Sequence, residues 1–152
     1  LNSCCSILCV TIPEKEIHEV LLDGFLIFLS SLEEAHQDKI YWAPLIVRWE
    51  LGLLSELGFG LNLENCVATE VTKDLAYVSP KSGRAVSKKA GEPYHDKLFR
   101  LPPFLIGTTK NIKMQDIIDG LRLTEFFIER YVLSPAGKQI PQARRLFKDY
   151  MV

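Results

Sequence analysis

Apolar and polar positions alternate along this chain in blocks of different period. Residues 2–11, "NSCCSILCVT", are mostly apolar and read as a first short helix. "TIPEKE" follows, with Thr11 placed as an N-cap, Pro13 near the next first turn and acids behind it. Ile17, Leu21, Phe25, Phe28 and Leu32 then recur at helical spacing, and Val20, Leu22, Ile27 and Leu29 widen that stripe. So broad an apolar surface predicts a helix at the centre of the fold. After the polar break "EEAHQDK" a third helix is predicted from about Lys39 to Leu57, with Leu45, Trp49, Leu53 and Leu57 on one face. "GFG" at 58–60 closes it as a glycine C-cap.

The period changes over residues 61–103. "CVATEVT" and "LAYVS" are short β-type runs divided by turn residues, and with a glycine turn they fit a small hairpin-like insertion. The stretch "SPKSGRAVSKKAG" at 79–91 carries Lys81, Arg84, Lys88 and Lys89, no acid, two glycines and one proline. It reads as a basic loop, not as helix or buried strand. Helical spacing returns near Lys113, where Ile117, Leu121, Ile128 and Val132 share a face that Phe126, Phe127 and Tyr131 extend. "SPAGKQIP" interrupts it, and "PQARRLFKDYM" forms a last short helix with Pro141 at its start. The pattern predicts a mainly α protein: one helical bundle domain over 1–152, helical at 1–60 and 104–152, with the β/loop insertion at 61–103.

Composition narrows this reading. A length of 152 residues supports one domain with a sizeable core, and 47% hydrophobic with 24% charged residues is ordinary for a soluble globular chain. The most apolar run, "VLLDGFLIFLSSL", is too short for a membrane span and contains Asp23. The start "LNSCCSILCV" lacks both a Met and a basic flank, so it is a poor signal peptide and suggests a fragment of a longer protein, or processing. A reducing cytoplasm is the expected location. The net charge of −1 hides an asymmetry: residues 1–65 carry three cations against ten acids, and residues 66–152 carry fifteen against nine. The basic second half points to an anionic partner surface, or else to a solvated face with no partner.

Candidate chemistry is sparse. There is no GxSxG, no glycine-rich phosphate loop, no HExxH and no CxxC, and an enzyme is not expected. Cys4, Cys5 and Cys9 read as small apolar residues of a buried helical face, although with His18 they also have the donor types of a metal site. Cys66 stands apart. Placed at the start of a zinc-ribbon layout it gives Cys66-x-x-Thr69, then, beyond the turn at Gly83, Ser87-x-x-Ala90. One thiolate, two hydroxyls and a methyl cannot hold Zn²⁺, so the module is a degenerate zinc ribbon and no cofactor is expected.

"WELGLLSELGFGLNLENCVAT", "DLAYVSPKSGRAVSKKAG" and "LRLTEFFIERYVL" closely resemble the RecO family of bacterial DNA-repair proteins, in the right order and across most of residues 14–145. RecO proteins join an N-terminal OB-fold to a C-terminal helical domain, and the chain resembles the second alone. The resemblance implies a recombination mediator, nucleoid-associated, that works with RecR, displaces single-strand-binding protein, loads RecA and anneals strands. It implies zinc in some members through four cysteines at the positions of Cys66, Thr69, Ser87 and Ala90, from which this sequence departs at three. It also implies that the helical domain takes the acidic tail of single-strand-binding protein, which ends in Phe with a free carboxylate. Such a ligand needs an apolar pocket beside cations, and Arg122, Phe126, Phe127, Arg130, Arg144 and Arg145 are the expected residues. Lys81, Arg84, Lys88 and Lys89 are the expected contacts to single-stranded DNA, most of which would fall to the OB-fold. The competing reading is a helical protein-interaction module with no DNA contact of its own.

Overall fold

The computed structural model describes residues 1–13, 18–34, 38–107 and 110–152. The long helices are α1 (Asn2–Thr11), α2 (Glu19–Glu34), α3 (Lys39–Glu56), α5 (Met114–Ile128) and α6 (Gln142–Met151). Between α3 and α5 lie strands β1 (Leu75–Val78), β2 (Ala85–Ser87) and β3 (Phe99–Arg100), with a single helical turn, α4 (Lys88–Gly91), after β2. The architecture is mainly α with a small β module, as the periodicity predicts.

α3 is the axis of the bundle, packed against α2 on one side and α5 on the other, while α6 lies against α1 and α5. Its start is set by Asp38, whose carboxylate accepts from the Ile40 N–H at 3.1 Å and satisfies one of the open donors of the first turn. Its end is a Schellman motif: the Phe59 N–H donates to Leu54 O at 2.8 Å and the Gly58 N–H to Ser55 O at 3.0 Å. Gly58 sits at φ +88°, a region that a side chain disfavours, so the glycine is what stops the helix here. Where α3 meets α5, a Cβ on Gly120 would come within 2.9 Å of Val47 Cγ1. The missing side chain lets the two helices approach and seats Phe104 over the gap. Ile46, Val47, Leu53, Leu54, Ile117, Leu121, Phe127 and Ile128 of these two helices belong to one core and are all buried. Each such side chain contributes about 1.5–3 kcal/mol on leaving water.

Two helical expectations change. Thr11 does not cap the second helix. It is the last residue of α1, and its hydroxyl donates back to Ile7 O at 2.8 Å. Ile17 lies outside the described residues. α2 is peripheral and not central: only Leu21 and Phe28 are buried, whereas Val20 and Ile27 stay 69% and 68% exposed. α3 has already spent its other side on α5, so one stripe of α2 is all the bundle can cover. Phe25 and Phe28 of that stripe pack on Trp49, with ring centroids at 5.5 and 5.6 Å.

The β module is a three-stranded antiparallel sheet in the order β2-β1-β3, with Val78 paired to Ala85 and Phe99. It is smaller and differently placed than the sequence suggests. "CVATEVT" is a turn-rich segment and contains no strand. The basic stretch at 79–91 is not a free loop. Its centre is β2, whose three residues are buried, and its end is α4, capped by the Ser87 hydroxyl accepting from the Ala90 N–H at 3.4 Å. Only the turn around Pro80–Gly83 is loop.

Candidate functional site

The degenerate zinc positions converge. Cys66 is fully buried, and its Sγ accepts from the Ser87 backbone N–H at 3.2 Å. Burial pushes the Cys66 thiol up, but hydrogen bonds from the Thr69 side chain, the Ser87 N–H and hydroxyl and the Ala68 backbone outweigh it and hold the thiol down at about 6. The two hydroxyls that stand where metal ligands would be lie beside the remaining sulfur, Thr69 at the exposed edge and Ser87 buried. These residues do not fit zinc. The donor set is one sulfur that already accepts from the Ser87 N–H, with two neutral hydroxyls, and Ala90 offers no donor atom. Among the described residues no group of three or more His, Cys, Asp and Glu could hold a metal. At the N-terminus the expected buried cysteine face is only partly formed: Cys4 is buried, while Cys5 and Cys9 are exposed.

The four cations of the basic stretch do not form one patch. Lys81 is exposed at the tip of the β1–β2 turn, whereas Lys88 and Lys89 follow β2 at its other end, beside a concave surface lined by Thr69, Val71, Lys73 and Asp74. Arg84 is engaged with acid and amide, at 3.4 Å from Glu70 Oε1 and 3.4 Å from Asn65 Oδ1. Closeness in sequence is lost here because a strand separates the two pairs.

The arginines divide more sharply. Arg144 is no surface residue: it is 0% exposed, and its Nε donates to Glu50 Oε1 at 2.5 Å and its Nη2 to Glu50 Oε2 and Leu121 O, each at 3.0 Å. The Thr124 hydroxyl donates to the same carboxylate. Burial alone would pull the Arg144 guanidinium down, but the carboxylates of Glu50 and Glu125 hold it above its ordinary value. Arg144 is therefore removed from any ligand site, and so is the fully buried Phe127. Arg145 is exposed but donates to Ile140 O at 3.1 and 3.0 Å.

What remains is a surface on α5, on the helical turn Glu129–Leu133 that continues it, and on β3. Arg122 is exposed and lines a shallow cleft with Leu98, Phe99, Arg100 and Asp119. Phe126 packs on Phe99 at 4.9 Å, and the Arg130 guanidinium lies 5.7 Å from the Phe126 and Tyr131 rings alike. Helical spacing locates Arg122 and Phe126 on α5 and Arg130 on the wider helical turn Glu129–Leu133 that continues it. Arg100 and Phe99 come from a two-residue strand with no periodicity to read, and only the sheet pairing brings them alongside.

A helical bundle with a small antiparallel module set against α5 is the class that the fold defines. A family model described as "Recombination protein O C terminal" matches residues 1–139, and the chain belongs to this family. It is 44% identical to the DNA repair protein RecO of Rhodospirillum centenum over 98% of this chain and 58% of that protein. To the DNA repair protein RecO of Caulobacter vibrioides NA1000 it is 41% identical over 98% and 60% of the two chains, and to that of Methylocella silvestris 52% identical over 90% and 54%. The chain thus spans less than two thirds of the length of these curated relatives. No solved structure matches it. The resemblance read from the sequence motifs is borne out. No described helix is long and apolar enough to cross a membrane.

Proposed function

We propose that the chain is the partner-binding helical domain of a DNA-repair and recombination mediator, acting without catalysis. Its task in this reading is to bind RecR and the acidic, Phe-terminated tail of single-strand-binding protein and to add an auxiliary contact to the single strand, most of which an OB-fold elsewhere in the full protein engages. The observation that carries the reading is the α5–β3 surface. Arg100, Arg122 and Arg130 surround half-buried Phe99 and Phe126 there, which supplies cations for carboxylates beside an apolar seat for one ring. Arg145, already bonded to the Ile140 carbonyl, is at most peripheral to it.

Titration of a labelled tail peptide tests this. Arg122→Ala and Arg130→Ala should each weaken binding by about 3- to 30-fold, the weight of one exposed to partly buried charge-assisted contact. Arg145→Ala should change it least. Peptide affinity unchanged by Arg122→Ala and Arg130→Ala would place the tail elsewhere. The alternative, an interaction module with no DNA contact of its own, draws support from the division of the basic stretch and the engagement of Arg84 with Glu70. Salt-sensitive binding of a single-stranded oligonucleotide separates the two readings.

A further inference from the structure

The residue that ends α3 also begins a column of rings. Phe59 stacks on Tyr131 at 5.6 Å with an interplanar angle of 16°, and Tyr131 stacks on Phe127 at 5.8 Å and 6°. The innermost ring is fully buried, and the outermost, Phe59, is 40% exposed. The column therefore runs from the core to solvent with its planes nearly parallel. The Schellman turn explains why the backbone is fixed at Phe59 but does not require a ring there. Two cations lie close by. Arg130 lies 5.7 Å from the Tyr131 ring, and the Tyr131 hydroxyl donates to Lys81 O at 3.4 Å, which brings the hairpin tip and its exposed Lys81 beside the stack.

We propose that Phe59 is a base-stacking platform for single-stranded DNA, with Arg130 and Lys81 meeting the phosphates on either side. A fixed, exposed ring can accept one more planar ring, and every base has such a face, so this site binds without sequence preference. It moves the DNA contact away from Arg84, Lys88 and Lys89, to a place where aromatic and cation occur together. Arg130 also belongs to the proposed tail surface, so the strand and the acidic tail would compete for one guanidinium. The proposal rests on the reading that this domain touches single strands at all.

The test uses the whole chain and a short oligo(dT) carrying one 2-aminopurine, whose fluorescence falls when it stacks. Phe59→Leu keeps apolar packing on Tyr131 and removes the flat ring. It should weaken binding by about 5- to 150-fold, the weight of one base–aromatic stack, and abolish the quench. Phe59→Trp should retain both. Neither variant should alter titration of the tail peptide, whereas Arg130→Ala should weaken both ligands. If wild type binds the oligonucleotide and Phe59→Leu binds it equally well, the stacking site is wrong while the wider DNA contact stands. If wild type shows no salt-sensitive binding, the stacking site and the DNA contact both fall, and the tail reading is left to its own titration.

Discussion

Two buried polar centres hold this molecule, and they are built on opposite plans. The first joins Glu50 of α3, Thr124 of α5 and Arg144 of α6, so that one guanidinium–carboxylate pair ties together three helices distant in sequence. The second holds the Cys66 sulfur within the β module by donors from Ala68, Thr69 and Ser87, all within 21 residues. Both put a polar group where water is excluded, and both give it hydrogen-bond partners. In the bundle the counter-charge arrives through tertiary packing. In the module it is replaced by local hydrogen bonds, where a zinc ribbon would have used a cation. The bundle centre is thus a global lock, and the module centre is a local one.

Removing Arg144 should show the larger effect. Arg144→Ala leaves the fully buried Glu50 carboxyl without its main donor, at a cost of about 3–5 kcal/mol. For a chain of 152 residues that lowers Tm by about 6–20 °C. Urea denaturation should show the whole bundle losing stability together. A loss under about 1 kcal/mol would mean the pair is solvated and the contrast false.

Next in size is Cys66→Ala, which strands the buried Ser87 N–H and costs about 1–3 kcal/mol. Its pH signature is distinctive. The folded thiol sits at about 6 against an ordinary 9.0, so the unfolded chain binds more protons between these values. Stability from this group is fully present above pH 9 and is lost as pH falls through about 6. Stability should therefore rise from pH 6 to 9 in wild type, and Cys66→Ala should flatten that rise. Equal slopes in the two proteins would show that the sulfur is not held as a thiolate.

The smallest effect is expected from metal removal. Purified protein should contain far less than one zinc per chain by elemental analysis, and a chelator should leave Tm where it was. In a loaded ribbon the metal carries folding energy, and its removal would unfold the module. Stoichiometric zinc would overturn the hydrogen-bonded account of Cys66 and turn attention to Cys4, Cys5, Cys9 and His18.

Much of this fold is written locally. Asp38 and Gly58 mark the ends of α3, Pro141 marks the start of α6, and the stripe of Ile117, Leu121 and Ile128 sets the buried face of α5. These are decided by hydrogen bonds and side-chain spacing within a few residues, so a single sequence suffices. The candidate site was half legible for the same reason, since Arg122 and Phe126 recur along α5 and Arg130 falls on the turn that continues it. Phe59 was visible only as part of a glycine cap, and its partner Tyr131 lies 72 positions on, reached only by folding.

Arg144 marks where local reading ends. On α6 it falls in line with Phe147 and Met151, so its position was inward although its type suggested solvent. That spacing was the available signal, and Glu50, in line with Val47 and Leu54, was the other half. Neither reveals the other, because the benefit of burying one charge exists only when the opposite charge meets it. α2 gives the converse case: its sequence is apolar nearly all round, which fixes a helix but not which side is covered. By themselves the residues determined the long helices, the ends that Asp38, Gly58 and Pro141 set, and the presence of a small β module between α3 and α5. Tertiary structure alone decided that α2 stays outside, that β2 divides the basic stretch, and that Arg144 goes in. The reason is that burial and charge pairing depend on what arrives from elsewhere in the chain.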